Sequence, residues 1–406
     1  MKWKSRRSFL RNAGLGGAVV LGIGVGSGTG AAEPTAGVDC SLIDATADWP
    51  TYRGGPVRSG YTSNPGPVAA PTARRLGQSD PSVDSNVAVA DGVAYFVRNR
   101  ARTSLTAFDL DRETTVWETD VTPGSAAGVT VADDTVYVVG GSQHAPECVP
   151  VPPTLAAVDA GDGTVQWEYE FDPVTVTWPT AVDARTYVVA DDSLVAIDDG
   201  GTVAWQTDLA DGTAADRSLV PAVAEGLVVT ADDAGVVAVD RVDGTEVWRH
   251  EVPDAGRLSV ADGVAYATTR HGVVALALAD GAERWHASGS AAGGSADPTG
   301  APAVGPDRVY VPVDEEHVAA LSTDDGSTEW RSGRLGDVSV AVGGETVYAA
   351  VSEPSSRQVA VYALDSVDGE TRWEFEPESS FPVQSPAVAG GALLFGGEAL
   401  TVLTAE

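Results

Sequence analysis

Apolar and polar positions along this chain form short runs that return in the same order. The run from Val236 to Trp248, VVAVDRVDGTEVW, holds an apolar segment, a polar turn and a second segment ending in Trp. Short apolar runs bounded by turn residues predict β-strands, and Asp243-Gly244 predicts a two-residue type I′ turn between them. The unit is therefore predicted to be a β-hairpin.

The same hairpin recurs through the chain. Trp follows Asp by eight positions here and in three further copies, whereas Asp198 precedes its Trp by seven and two copies keep only the Trp. The repeated tryptophans are Trp117, Trp167, Trp205, Trp248, Trp285, Trp330 and Trp373. They share one place in a unit of about 43 residues, and a repeat of that period made only of strands is typical of a propeller blade. Each is predicted to pack flat against the neighbouring blade, as a structural docking residue.

Eight copies of a small-Val-small first strand can be read, and each is followed by a tight turn and a second strand. The eighth copy has a third strand, Ala399 to Ala405, but the sequence stops before a fourth. An open ring would leave an unpaired strand edge. We therefore expect Thr72 to Ser79 to pair with it and close the ring. The predicted fold class is all-β, an eight-bladed β-propeller of four-stranded antiparallel blades; a seven-blade ring with a stray hairpin is the alternative.

The N-terminus predicts export. Arg6-Arg7 lies in SRRSFL, an apolar Gly-rich run follows, and small residues lead to Ala31-Ala32. This pattern is typical of a twin-arginine signal peptide, and the apolar run is too short and too rich in Gly for a membrane span. We expect residues 1–32 to be the signal, 33–71 a lead-in segment and 72–406 the propeller. The protein is expected outside the cell or at its surface.

The charge balance is strongly acidic, with a net charge of −33. The only lysines, Lys2 and Lys4, lie in the predicted signal; without it, 20 arginines face 58 acidic residues, a net charge of −38. Acid-rich, Lys-free chains are typical of halophiles, where molar salt screens repulsion between charges. Cation capture is the alternative reading. Nucleic acid is not an expected partner, because no basic patch is present to neutralise phosphates.

The chain has two cysteines, Cys40 and Cys148. An oxidising exterior permits a disulfide between them. Alternatively Cys40 carries a lipid and tethers the protein to a membrane, although Asp39 stands where a small residue is expected. Two unpaired thiols are the third possibility.

Candidate chemistry is sparse. His144, Glu147 and Cys148 lie close together in an insertion at 140–153 and form the one candidate transition-metal site. The acidic pairs Asp133-Asp134, Asp191-Asp192 and Asp232-Asp233 are interpreted as turn formers. No catalytic triad, zinc motif or phosphate loop is recognisable, and no catalytic residue is predicted. Insertions at 140–153, 288–299 and 352–358 are either binding loops or tolerated surface loops.

The units AAVDAGDGTVQW (Ala156 to Trp167) and VAVDRVDGTEVW (Val237 to Trp248) resemble the pyrroloquinoline-quinone (PQQ) repeat family. The resemblance extends from about Asp48 to the C-terminus and implies an eight-bladed propeller with blade-docking Trp. The family includes quinoprotein alcohol and glucose dehydrogenases, and non-catalytic scaffolds such as the lipoprotein of the outer-membrane barrel-assembly machine. The dehydrogenases imply an adjacent Cys pair over the quinone and a calcium held by Glu, Asn and Asp. Here the cysteines are far apart and Asn is scarce, so the resemblance transfers no catalytic residue and no cofactor.

The sequence therefore predicts an exported, monomeric, non-enzymatic propeller that binds an unidentified protein or extracellular ligand. The alternative is a PQQ- and calcium-dependent oxidoreductase acting on an alcohol or sugar. A cation-binding surface module is the third hypothesis.

Overall fold

A computed structural model describes residues 48–76, 83, 85–99, 103–121, 128–142, 151–172, 175–210, 219–288, 300–314, 316–353, 358–377 and 386–405. The chain divides into two units, Met1–Ser41 and Leu42–Glu406, and all described residues belong to the second. Their regular elements are β-strands throughout, and no helix in these ranges has the length and apolar character to cross a membrane. The predicted signal peptide, Cys40 and Cys148 lie outside the described residues.

The strands form eight sheets, each of which is one blade. Two N-terminal strands precede the first blade: β1 (Tyr61–Thr62) and β2 (Thr72–Leu76). Blade 1 contains β3 (Ala88–Ala90), β4 (Val93–Asn99), β5 (Thr103–Asp109) and β6 (Thr114–Asp120). Blade 2 contains β7 (Gly128–Ala132), β8 (Thr135–Ser142), β9 (Val151–Asp159) and β10 (Val165–Glu170). Blade 3 contains β11 (Thr180–Val182), β12 (Arg185–Ala190), β13 (Ser193–Asp198) and β14 (Val203–Asp208).

The later blades repeat this order. Blade 4 contains β15 (Ala222–Ala224), β16 (Leu227–Asp232), β17 (Gly235–Asp240) and β18 (Glu246–Glu251). Blade 5 contains β19 (Leu258–Ala261), β20 (Val264–Thr269), β21 (Gly272–Ala277) and β22 (Glu283–Ser288). Blade 6 contains β23 (Ala303–Val304), β24 (Arg308–Val313), β25 (His317–Ser322) and β26 (Thr328–Arg331). Blade 7 contains β27 (Asp337–Gly343), β28 (Thr346–Glu353), β29 (Gln358–Asp365) and β30 (Thr371–Phe375), and blade 8 contains β31 (Ala387–Ala389), β32 (Ala392–Phe395) and β33 (Leu400–Thr404).

The N-terminal strand β2 completes blade 8. It pairs antiparallel with β33 from Thr72 opposite Thr404 to Leu76 opposite Leu400, so the last sheet has the order β2-β33-β32-β31. The prediction of an eight-bladed ring closed by an N-terminal strand is confirmed, and the seven-blade alternative is wrong. Closure stabilises the ring because the outer edge of β33 is paired within the chain.

The turn prediction for the repeated hairpin was wrong in type. A type I′ turn needs positive φ at both central residues, but at Asp243-Gly244 only Gly244 adopts it, at 76°. The loop instead ends in a bulge, with a register shift between Ala238 and Val239 and a hydrogen bond from the Gly244 N–H to the Asp240 carbonyl. Positive φ at two consecutive residues occurs in the turns between first and second strands, as at Asp91-Gly92.

The hydrophobic core lies between the blades. Each buried cluster combines residues of neighbouring sheets, such as Val138 of blade 2 with Val97 of blade 1, or Val274 of blade 5 with Val229 of blade 4. A single four-stranded blade buries little by itself, so the free energy of folding depends on stacking against both neighbours.

Candidate functional site

Residues 48–62, here called the axial segment, run around the inside of the ring. The inner strands of the blades line the axis, and one edge of each is free of other strands of its own sheet. The axial segment bonds to those edges in order. Trp49 exchanges two backbone hydrogen bonds with Val89 of blade 1, and β1 lies parallel to β27 of blade 7. Backbone carbonyls of the axial segment accept the N–H groups of Val131, Val223, Val260, Val304 and Val342, in blades 2, 4, 5, 6 and 7.

The small-Val-small pattern of the first strands follows from this geometry. In six blades the Val supplies an N–H that the axial segment binds, whereas blade 3 has Ala181 in its place. The residue before this position is Ala, Thr or Ser in every blade and is at most 2% exposed: Ala88, Thr130, Thr180, Ala222, Ser259, Ala303, Ala341 and Ala387. The hydroxyl groups bond to the neighbouring blade, as where Thr130 Oγ1 donates to the Pro179 carbonyl at 2.7 Å.

Two arginines of the axial segment are buried at the axis. Arg58 is 1% exposed and donates to the carbonyls of Tyr52 (3.0 Å), Pro179 (2.9 Å) and Pro221 (3.1 Å) and to Thr180 Oγ1. It therefore connects the axial segment to blades 3 and 4.

Arg53 is 2% exposed and makes the equivalent contacts on the other side of the axis. It donates to the carbonyls of Pro302 in blade 6 and Val340 in blade 7, and to Arg58 within the segment. Among the described residues, no carboxylate contacts either guanidinium group. Burial, with a smaller contribution from the charge of Arg53, lowers the pKa of Arg58 to about 9; burial also lowers the pKa of Arg53. Arginine stays protonated at neutral pH, so main-chain carbonyl dipoles solvate two positive charges here.

Three large side chains of the axial segment are buried among the inner strands. Trp49, Arg53 and Arg58 are each at most 2% exposed. The Asn86 side-chain amide donates to the Val129 carbonyl and accepts the Val129 N–H. The described residues contain no group of three His, Cys, Asp or Glu side chains that could hold a metal.

The repeated Trp side chains lie at the contact between one blade and the next. Six of the seven are at most 9% exposed, and Trp167 is half-buried. The Trp117 Nε1–H donates to Ala160 O at 2.9 Å in blade 2, and the Trp248 Nε1–H to Leu278 O at 2.7 Å in blade 5. Equivalent bonds join Trp205 to Arg241, Trp285 to Thr323 and Trp330 to Ser366.

Glycine in the turn of the next blade makes room for six of the seven rings. A Cβ at Gly244 would lie 2.6 Å from the Trp205 ring, and one at Gly281 would lie 2.6 Å from the Trp248 ring. Both glycines also have positive φ, at 76° and 70°. The Asp-Gly of the repeat thus serves the neighbouring blade as well as its own turn.

Blade 7 docks onto a different partner because blade 8 takes its outer strand from the N-terminus. The Trp373 Nε1–H donates to the Pro67 carbonyl at 2.9 Å, and the Tyr348 hydroxyl to the same oxygen at 3.3 Å. Pro67 lies between the axial segment and β2, so this connection replaces the missing turn of blade 8.

A tyrosine partner of the Trp was missed by the sequence analysis. In six blades, a Tyr in the second strand lies with its ring centroid 5.8–6.0 Å from that of the repeated Trp. These residues are Tyr95, Tyr137, Tyr187, Tyr266, Tyr310 and Tyr348. Burial raises the pKa of Tyr310 to about 12, as expected for a phenol held at an apolar contact. The signal was present, since each Tyr occupies the third position of its strand.

The acidic residues singled out from sequence organise turns. The Asp240 carboxylate accepts the N–H groups of Val242 and Asp243, and the Asp232 carboxylate accepts those of Ala234 and Gly235. Asp365 binds the Val367 N–H and Arg372. The hydrogen bond from Arg372 lowers the pKa of Asp365, and the backbone bond adds to it.

The remaining candidates fall largely outside the described residues. These include His144, Glu147 and Cys148, and most of the insertions at 140–153, 288–299 and 352–358. The structure therefore leaves the metal and disulfide predictions as predictions.

Solved structures show the same fold. The chain is similar to BamB from Moraxella catarrhalis, with 16% identity, a TM-score of 0.64, and coverage of 82% of this chain and 98% of that one. It is similar to a europium-containing methanol dehydrogenase, with 11% identity, a TM-score of 0.62, and coverage of 87% and 90%. It is also similar to the quinohemoprotein alcohol dehydrogenase from Comamonas testosteroni, with 13% identity, a TM-score of 0.61, and coverage of 89% and 80%. At these identities the likeness establishes the fold alone.

A search of curated proteins finds no match. The family model described as outer membrane protein assembly factor BamB matches residues 101–257, 154–330, 232–376 and 314–405. These overlapping matches cover most of the propeller, and each spans several blades. The chain therefore belongs to the BamB-like family of PQQ-type repeats.

Proposed function

We propose that this protein is an exported, non-enzymatic propeller that acts as a binding scaffold outside the cell. The observation that carries the proposal is the buried axial segment. Residues 48–62 bond to the inner strands, and Trp49, Arg53 and Arg58 are buried among them, so a cofactor on the axis would have to displace these contacts. Binding then falls to the outer surfaces of the ring.

Membership of the BamB-like family supports the scaffold function in part. Its description names an assembly factor, and one similar structure is a BamB. Two other similar structures are dehydrogenases, so a PQQ-dependent oxidoreductase acting on an alcohol or sugar is the competing function.

Adding PQQ and Ca²⁺ to the purified chain tests the proposal. Calorimetry should show no binding of the quinone, and an artificial electron-acceptor dye should stay oxidised in the presence of alcohols and sugars. Binding of PQQ with dye reduction would overturn the scaffold function and favour the oxidoreductase.

Export is proposed from the N-terminal sequence and has its own test. Mass spectrometry of the secreted protein should find a mature N-terminus near Glu33. Replacing Arg6 and Arg7 with Lys should keep the protein inside the cell. A lipid mass on Cys40 would instead assign the protein to the membrane surface, and an intact N-terminus would contradict signal cleavage.

A further inference from the structure

The outer strands of the blades form a fringe of exposed carboxylates that is interrupted at one place. In blades 1 to 7, the side chains one position before, one position after and three positions after the repeated Trp are exposed or half-buried. Blade 1 has Glu118 and Asp120 there, blade 2 has Glu168 and Glu170, and blades 3, 4, 6 and 7 each have at least one carboxylate. Blade 5 has Arg284, His286 and Ser288, which are all exposed.

The turn beside this strand is inverted in charge as well. Between the second and third strands, blades 3, 4 and 6 have Asp191-Asp192, Asp232-Asp233 and Asp314 with Glu316. Blade 5 has Arg270-His271, both exposed. Strand register places Ser288, at the end of β22, opposite Gly272, which follows Arg270-His271 directly, while Arg284 lies near the other end of the strand.

In blades 4 and 6 the arginine that follows the Trp is neutralised by an aspartate, whereas Arg284 and His286 of blade 5 have no such partner among the described residues. In blade 4, Arg249 follows the Trp and pairs with Asp232 at 2.6 Å; in blade 6, Arg331 follows the Trp and pairs with Asp314. Blade 5 has Thr269 at the position of Asp232 and Arg270 at the position of Asp314. No ion pair joins Arg270, Arg284 or His286 to any carboxylate within the described part of the chain.

The backbone of this strand is also available. The fifth sheet has the order β19-β20-β21-β22, so no strand of the described residues pairs with the outer edge of β22. An extended segment can add to such an edge through main-chain hydrogen bonds, and its side chains then meet those of the edge strand. Carboxylates on that segment would form charge-assisted hydrogen bonds with the two arginines.

We propose that Arg270, Arg284 and His286, here called the blade-5 basic patch, bind an acidic extended segment of a protein partner along β22. The proposal rests on the scaffold function and names its surface and the chemistry of its partner. Ion pairs in direct contact persist at high salt, whereas electrostatic attraction over distances beyond about 3 Å is screened at 1 M salt.

A labelled peptide of about ten residues, the length of a long strand, with alternating Glu and Val, tests the patch. Fluorescence anisotropy with the full chain should show saturable binding, and a peptide of alternating Lys and Val should not bind. The double variant Arg284→Glu with His286→Glu should weaken binding at least about tenfold, because it replaces attraction with repulsion at the contact.

Two matched variants sharpen the result. The double variant Ala204→Glu with Gln206→Glu, at the equivalent positions of blade 3, should bind the peptide like the parent chain. Placing the basic residues on blade 2, as Gln166→Arg with Glu168→His, should create a second binding event. All these positions are exposed, so thermal unfolding should be unchanged and loss of binding cannot be assigned to misfolding.

Absence of peptide binding, or equal binding by the blade-5 and blade-3 double variants, would overturn the proposal. So would binding to vesicles of anionic lipid that the blade-5 variant abolishes while the peptide stays unbound, since the patch would then recognise a membrane. These results are distinguishable from a failure of the scaffold function, which the PQQ experiment detects by itself.

Discussion

The axis and the rim of this ring are built from the same eight repeats but differ in what completes them. At the axis, a segment outside the repeat bonds to the free edges of the inner strands and buries two arginines. At the rim, no described strand pairs with the outer edges of blades 1 to 7, and the positions around each Trp vary in charge from blade to blade. The comparison indicates that stability is concentrated where the repeats are alike, and we propose that binding specificity lies where they differ.

The largest expected effect is at the axis. Arg58→Ala would leave the carbonyls of Tyr52, Pro179 and Pro221 buried without their donor, so we expect a loss of roughly 5 kcal/mol or failure to fold. Denaturant unfolding measures this loss. Arg58→Lys is the matched control and should recover only part of it, because an ammonium group cannot span the same acceptors. A parent-like midpoint for Arg58→Ala would mean that the axial segment contributes little.

The next effect is at the contacts between blades. Trp248→Ala should cost about 3–5 kcal/mol, through lost burial and the cavity left against blade 5. Trp167→Ala should cost less, because Trp167 is half-buried whereas Trp248 is 7% exposed. Thermal unfolding of both variants checks the order. Equal shifts, or no shift for Trp248→Ala, would contradict a docking role for the repeated Trp.

A smaller effect is expected in the turn beneath a Trp. Gly244→Ala should destabilise by about 1–3 kcal/mol, because the new Cβ meets the Trp205 ring and Ala disfavours positive φ. Gly226→Ala is the control: its φ is also positive, at 83°, but nothing lies within 4 Å of its Cβ. The difference between the two unfolding midpoints isolates the contact with Trp205, and equal midpoints would remove that contact from the explanation.

The smallest effect concerns pH. The pKa of Asp365 is lowered in the folded state, chiefly by the hydrogen bond from Arg372. Its contribution is therefore present above the unfolded pKa and is lost as the pH falls through the folded pKa. Because the pair is partly exposed, we expect less than about 1 kcal/mol. Arg372→Met should flatten this part of the stability profile between neutral and acidic pH, and an unchanged profile would contradict the assignment.

The repeat period determined the fold at the level of sequence. Strand runs, Asp-Gly turns and Trp at one place in each unit predict eight blades, and the missing fourth strand of the eighth unit predicts closure by Thr72 to Ser79. These features are local or periodic, so a single sequence is enough to find them. The type of the repeated turn was not found, because the choice between a two-residue turn and a bulged loop depends on how Gly244 meets Trp205 of the preceding blade.

Only the tertiary structure decided the role of residues 48–62. Their turn-rich sequence predicts only a lead-in segment. The axial role could not be predicted, because backbone carbonyls that bind inner strands have no sequence signature and arginines normally predict solvent exposure. Their partners are Thr180, Pro302 and Val340, more than a hundred residues away along the chain. The sequence determined that the blades form a ring, because each repeat can be recognised from its own residues. What fills the ring and which rim positions adjoin in space depend on closure, which brings distant residues together.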